Sequence, residues 1–337
     1  MSLPRALIWI ISVSLALHLF GLAIVIIVSG PSVLSFGDGV LYLELARNLK
    51  DGLGFVSLQT NGLTSEVFRA PGLPLLLEPF VGSVNGLLVY FTLFTTVASV
   101  VLPLCTWRIA REFLSDRAAF IAAGIVAFEP VAIFFSWFPF GEIPFLIFTL
   151  IAITLFIETS HCERKFSRFV FAAVAGLFAG YAILIRPANA PLFFVGIILA
   201  VLLWFKKKEF IIRLIVLCTA LFVVLIPWYT HVHAITGTYS LSGNGWRNVY
   251  TDYLASLRSV KNVSSYDTER AYLKDKGSKE LGLSDRYDLN NPANQALLRQ
   301  VSIQELTQNV VVVLRLEPML LLSFFTNDGY YYNAARV

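Results

Sequence analysis

Residues 6–30 read ALIWIISVSLALHLFGLAIVIIVSG, and Asp, Glu, Lys and Arg are absent from Ala6 to Gly37. A helix needs roughly 20 predominantly apolar residues to cross the hydrocarbon core of a bilayer, so this stretch predicts a transmembrane span. It is too long for the roughly 7–15-residue core of a cleaved signal peptide, and Ala6 to about Val28 therefore reads as an uncleaved first span. The same absence of charge recurs from Pro79 to Trp107 and from Leu214 to Trp246. Over all 337 residues, 57% are hydrophobic and 14% charged, against about 25% charged in an average soluble domain. A soluble fold is excluded. The 28 Phe, 13 Tyr and 6 Trp suit lipid-facing and interfacial positions. The net charge of +4 is not a nucleic-acid signal, because the basic residues stand between hydrophobic spans.

Those basic residues set the expected topology. Arg5, then Arg108, Arg111 and Arg117, then Arg164, Lys165 and Arg168, then Lys206, Lys207, Lys208 and Arg213 all belong inside by the positive-inside rule. The assignment is self-consistent with spans at 6–28, 86–106, 118–136, 142–157, 169–185, 187–205 and 211–229. The expected fold is thus all-α and polytopic, with about seven spans and a first extracytoplasmic loop over about 30–85 that contains juxtamembrane helices. From His231 to Glu305 the composition turns polar, so residues 230–337 read as a second, extracytoplasmic segment after a membrane domain over 1–229. Val310 to Phe325 is apolar but carries Arg315, Glu317 and Pro318. A charge at mid-membrane costs about 2.5–3.5 kcal/mol on insertion scales, which favours an interfacial helix there over an eighth span. Cys105, Cys162 and Cys218 form no disulfide framework or metal-ligand cluster. Asn262-Val263-Ser264 is a sequon, a pattern that recurs by chance.

Chemistry concentrates in the first loop. In FGDGVLYLELARNLKDGLGF, residues 36–55, Asp38 starts an amphipathic run that Gly52 ends, which predicts a short helix. On local pattern Asp38 is foremost an N-cap. Tyr42 lies one turn on, so a carboxylate and a phenol share a face. Arg69 in FRAPGLPLLL and Arg186 in ILIRPANAP stand beside prolines at the same expected outer face. Each either snorkels to headgroups or clamps a phosphate with its guanidinium fork. Glu142 in WFPFGEIPF is an interfacial carboxylate or a second polar group of the same site. Glu129 lies in AGIVAFEPVAIFF, an expensive place for an unpaired charge, so it should face the bundle interior or a water-filled cavity.

Five motifs in order then carry a resemblance: GDGVLYLELARNLKDGLGF, RAPGLPLLL, GEIPFLIFTL, AGLFAGYAILIRPANAPLFF and IPWYTHVHAITGTY. From residue 1 to about 250 the chain resembles the GT-C superfamily of membrane glycosyltransferases, and within it the dolichyl-phosphate-mannose protein mannosyltransferase-like group that includes lipid A aminoarabinose transferases. The resemblance implies a GT-C-like helix bundle that transfers a hexose or pentose, with inversion, from a polyprenyl-phosphate donor to a lipid, glycan or protein acceptor. It implies Asp38 as general base, Arg69 and Arg186 as ligands of the donor phosphate, and Tyr42 and Glu142 as sugar or acceptor contacts. No cofactor is required, although carboxylates near a phosphate could hold a divalent metal weakly. The expected location is the bacterial inner membrane rather than the endoplasmic reticulum, with the N-terminus cytoplasmic, the site extracytoplasmic and membrane lipids around the bundle. After IPW the family often has an Arg-Asn pair, where this chain has His231 and Val232; His231 reads as an interfacial side chain. Relatives usually continue into further spans beyond a position equivalent to Val337, so this is a short member or part of a longer one. A flippase of lipid-linked sugars and a non-catalytic polyprenyl-phosphate-binding subunit remain the alternatives.

Overall fold

A computed structural model of the chain describes residues 4–30, 37–59, 62–204, 206–283 and 286–326. The protein is an all-α polytopic membrane protein that divides into two units, Met1–Trp228 and Tyr229–Val337. In the first, α1 (Arg5–Ser29) is followed by α2 (Gly39–Lys50), a ribbon of β1 (Val56–Gln59) and β2 (Gly62–Ser65), and α3 (Gly72–Leu77). Then come α4 (Val84–Phe113), α5 (Asp116–Ala127), α6 (Pro130–Phe135), α7 (Glu142–His161), α8 (Lys165–Ile185), α9 (Ala190–Trp204) and α10 (Lys208–Thr236), whose last residues enter the second unit. Among the described residues, six helical stretches are long and apolar enough to cross a membrane: α1, α4, α7, α8, Pro187–Trp204 and α10.

The pass expected as one helix over 118–136 is instead broken, which corrects that expectation. Helix α5 ends at Ala127, and α6 begins at Pro130, whose ring cannot donate the N–H a continuous helix needs. Glu129 turns out to be the N-cap of α6, its carboxylate accepting the Ala132 N–H at 2.5 Å. A main-chain donor at a helix N-terminus, rather than a counter-charge, thus partners this carboxylate in its apolar surroundings. The two short helices still carry the chain from one end of the bundle to the other. Leu7 of α1 packs on Trp107, Ala119 and Ala123. Further along α1, Ser14 donates to the Ala127 carbonyl at 3.2 Å and Trp137 donates to the His18 carbonyl at 3.0 Å.

Small residues let α8 approach α10 closely. Ala172, Ala175, Gly176, Ala179 and Gly180 form a buried stripe on α8. A Cβ at Gly176 would collide with the Leu217 carbonyl of α10, and one at Gly180 would lie 2.8 Å from that of Leu221. Between apolar helices in lipid, such close backbone approach provides the packing attraction. Gly176→Ala should therefore lower stability by about 1–3 kcal/mol, the usual penalty of overpacking. The control is Gly196→Ala on α9, where a Cβ meets open space. Thermal unfolding in detergent checks this, and equal melting of the two variants would show that α8 and α10 are not in register as described.

The basic clusters gather at one end of this unit. Arg108 pairs with Glu112 and Glu158, Arg111 with Asp116, Arg168 with Glu209, and Arg213 donates to Thr159. Such exposed pairs are worth about 0–1 kcal/mol each, so they mark the end of the bundle more than they hold it.

The second unit is helical, with α11 (Gly245–Asn248), α12 (Leu254–Asn262), α13 (Tyr266–Leu281), α14 (Pro292–Gln308) and α15 (Val310–Thr326). Ser265 and Asn291 cap α13 and α14 by accepting main-chain N–H groups of Thr268 and Ala293. Buried Glu269 of α13 binds Arg258 at 2.7 Å and accepts from Asn262 and Ser264, tying α12 to α13. Burial pushes its carboxyl up, but these hydrogen bonds and the Arg258 charge together hold it below the ordinary range. The sequon amide of Asn262 is thus engaged within the fold. Helix α15 packs on α12 and α14. All three cysteines are free.

Candidate functional site

Opposite the basic end of the first unit, four separate segments meet, and glycines let them do so. Asp38 sits between Gly37, at φ +57°, and Gly39. The Gly37 Cα faces the Phe140 ring, and any Cβ on Gly39 would collide with Pro139. Gly72, three residues past Arg69, would place a Cβ 2.6 Å from the Ile185 nitrogen, just before Arg186. Its carbonyl accepts the Tyr181 hydroxyl at 2.9 Å. Gly141, just before Glu142, would place a Cβ 3.2 Å from Cγ of Arg186. Residues spread from 38 to 186 thus become neighbours because no side chain intervenes at the crossing points.

Asp38 is not a cap, contrary to what local pattern favours. Its backbone is already helical, and its carboxylate accepts no first-turn N–H. Instead Oδ1 lies 2.9 Å from Nη2 of Arg69. The local pattern could not show this, since the partner lies 31 residues away. The Asp38 side chain is 62% exposed and that of Arg69 27%. Arg186 closes α8 and pairs through Nη1 with Glu142. Between the two ion pairs stands Tyr42, buried, with the Arg69 guanidinium 5.9 Å from its ring centroid. Burial raises the pKa of the Tyr42 phenol. Arg69 lowers it, Asp38 raises it, and Arg186 and Glu142 act likewise with smaller effect. One phenol therefore feels all four charges.

The arrangement holds two cations and two anions, with no net charge, against a neutral hydroxyl. A guanidinium can exchange a carboxylate for a phosphate of similar geometry, and an exposed carboxylate freed in this way can accept a proton from a hydroxyl. Among the described residues no group of three or more His, Cys, Asp and Glu side chains is placed to hold a metal ion.

Several contributors were not singled out from sequence. Glu44 of α2 accepts from Ser57 and from the Leu58 N–H at 2.8 Å, which fastens the ribbon to α2. Lys50 donates to the Val81 carbonyl at 2.5 Å and Asn48 to the Val56 carbonyl at 2.7 Å. The ribbon itself had a sequence signal, since Asn61-Gly62 stands between alternating segments as in a tight hairpin. Its register pairs Val56 with Ser65 and Leu58 with Leu63.

An integral, multi-pass membrane protein with paired arginines and carboxylates at one end of its bundle is the class that fold and site define. The family model described as dolichyl-phosphate-mannose-protein mannosyltransferase matches residues 80–231, somewhat less than half of the chain, and this stretch is similar to that family. The matched stretch includes Glu142 and Arg186 and begins after Asp38, Tyr42 and Arg69. No curated protein and no solved structure matches the chain.

Proposed function

We propose that the protein transfers a sugar from a polyprenyl-phosphate donor to an acceptor hydroxyl at the extracytoplasmic membrane face. The observation that carries this reading is the gathering of Asp38–Arg69 and Glu142–Arg186 around Tyr42, at the end of the bundle away from the basic clusters. The donor phosphate replaces the carboxylates on Arg69 and Arg186. Asp38, released towards solvent, takes the proton of the acceptor hydroxyl. The acceptor oxygen then bonds to the anomeric carbon from the face opposite the phosphate, and the bond from that carbon to the phosphate oxygen breaks. Its electron pair leaves with the polyprenyl phosphate, and the configuration inverts. The two guanidiniums stabilise the growing charge of the leaving group, a contribution that is often the largest in such transfers. No metal is needed for that role in this reading, though a divalent ion could bind weakly between phosphate and carboxylate. Tyr42 and Glu142 hold the sugar or the acceptor, which is a lipid, a glycan or a protein.

The first loop faces outward because the arginine-rich and lysine-rich end faces the cytoplasm, which fits a bacterial inner membrane with the N-terminus inside. In a cysteine-free background, a cysteine at exposed Leu63 or Ser265 is expected to react with an impermeant thiol reagent added to intact cells, and one at Phe166 or Lys207 is not. Outside labelling at 207 would reverse the orientation and remove Asp38 from an outer-face donor. Mass spectrometry of envelope glycolipids and glycoproteins from cells with and without the gene tests the activity. A missing sugar on one product is expected, and an unchanged glycome with altered lipid-linked sugar distribution would favour a flippase.

A further inference from the structure

Glu66 is fully buried, and the mechanism above does not use it. Taking a carboxylate wholly out of water is expensive unless donors compensate it. Here one oxygen, Oε1, accepts the main-chain N–H groups of Phe68 at 2.6 Å and Arg69 at 3.0 Å. The N–H of Glu66 itself donates to the Phe55 carbonyl at 3.1 Å, so the backbone from which the carboxylate projects is anchored at the end of the ribbon. Two successive turn N–H groups converge on one oxygen only when the backbone bends back upon it, and that bend sets the direction in which the Arg69 side chain leaves the chain. Downstream the same segment is fixed again, by buried Ala70 and by Gly72 against Leu184 and Ile185. Arg69 is therefore clamped on both sides of its backbone, while among the described residues its guanidinium makes a single hydrogen bond, to Asp38, and its Nε is buried without a partner. The backbone is tightly held, and the side chain keeps hydrogen-bonding capacity in reserve.

We propose that Glu66 is a positioning residue for phosphate recognition, holding the Arg69 backbone so that its guanidinium presents unused donors to a lipid-linked phosphate. This rests on the reading of Arg69 as a phosphate ligand. The test measures binding of a polyprenyl phosphate to the purified full-length protein in detergent, for wild type, Glu66→Ala, Glu66→Gln, Arg69→Ala and the Glu66→Ala/Arg69→Ala double variant. Alanine removes the acceptor of both N–H groups and frees the turn, and about a tenfold to hundredfold loss of affinity is expected, as for small misplacements of a binding group. Glutamine keeps an acceptor oxygen at the same reach and should bind close to wild type. In the Arg69→Ala background Glu66→Ala should add no further loss, because the proposed effect runs through Arg69. Equal losses in both backgrounds, wild-type binding by Glu66→Ala, or lost binding by Glu66→Gln would overturn the proposal while leaving Arg69 in place. A wild-type protein that does not bind polyprenyl phosphate overturns the role of Arg69 and this inference with it.

Discussion

Asp38→Asn is expected to leave a folded, membrane-inserted protein that binds polyprenyl phosphate at least as well as wild type and has lost sugar transfer by about 10² to 10⁴ in rate, the usual contribution of a positioned general base. Asparagine matches aspartate in size but cannot hold the proton of an attacking hydroxyl. The change also removes the charge that occupies Nη2 of Arg69, which leaves the guanidinium free for the donor. Loss of rate with unchanged or tighter phosphate binding is therefore the signature of the base. A structural role predicts something different. The Asp38 side chain is 62% exposed, and exposed pairs of this kind are worth about 0–1 kcal/mol, so thermal stability should barely move. Nor is there a cap to lose, since the carboxylate accepts no first-turn N–H. Asp38→Ala should thus behave like Asp38→Asn. Near-normal transfer by membranes carrying the asparagine variant would show that the proton goes elsewhere, with Glu142 the next carboxylate to test.

What was legible in the sequence, and what was not, follows the range of each interaction. The spans were readable because insertion depends on composition over about 20 residues, a local quantity. Gly52 could likewise be read as the end of α2, and its φ of +74° is the left-handed conformation expected just past a helix. The break at Glu129-Pro130 was written in the sequence, yet hydropathy averages over it. A carboxylate followed by proline inside an apolar run is an N-cap and first-turn signature, and the reading as a lone charge overlooked it. Asp38 shows the opposite limit. Capping is a local prior, whereas its partner Arg69 arrives through the ribbon and the Glu66 turn, which no window of a few residues contains. The five site residues were nevertheless named together, on chemistry and on the resemblance. Their meeting depends on Gly39, Gly72 and Gly141 at backbone crossings, and a glycine's close neighbour cannot be known before the fold is.

Arg69→Ala and Arg186→Ala should each weaken polyprenyl-phosphate binding by more than the loss of a contact suggests. A hydrogen bond to a charged group is worth about 1.5–3 kcal/mol, which is roughly 10- to 150-fold in affinity. Each alanine variant also strands a carboxylate, Asp38 in one case and Glu142 in the other, and an uncompensated anion repels the phosphate. That second contribution can be removed. Arg186→Ala/Glu142→Gln should recover part of the affinity lost by Arg186→Ala alone, because it neutralises the stranded anion without restoring the guanidinium. Arg69→Lys and Arg186→Lys should fall between wild type and alanine, since an ammonium keeps the charge and loses the two-pronged donor geometry. Raising the salt concentration should weaken wild-type binding and affect the alanine variants less. Titration of the purified variants with polyprenyl phosphate distinguishes this from membrane anchoring. If the arginines only snorkel to headgroups, both alanine variants keep wild-type affinity and the Glu142→Gln change rescues nothing, because there is then no phosphate near Glu142 for its charge to repel.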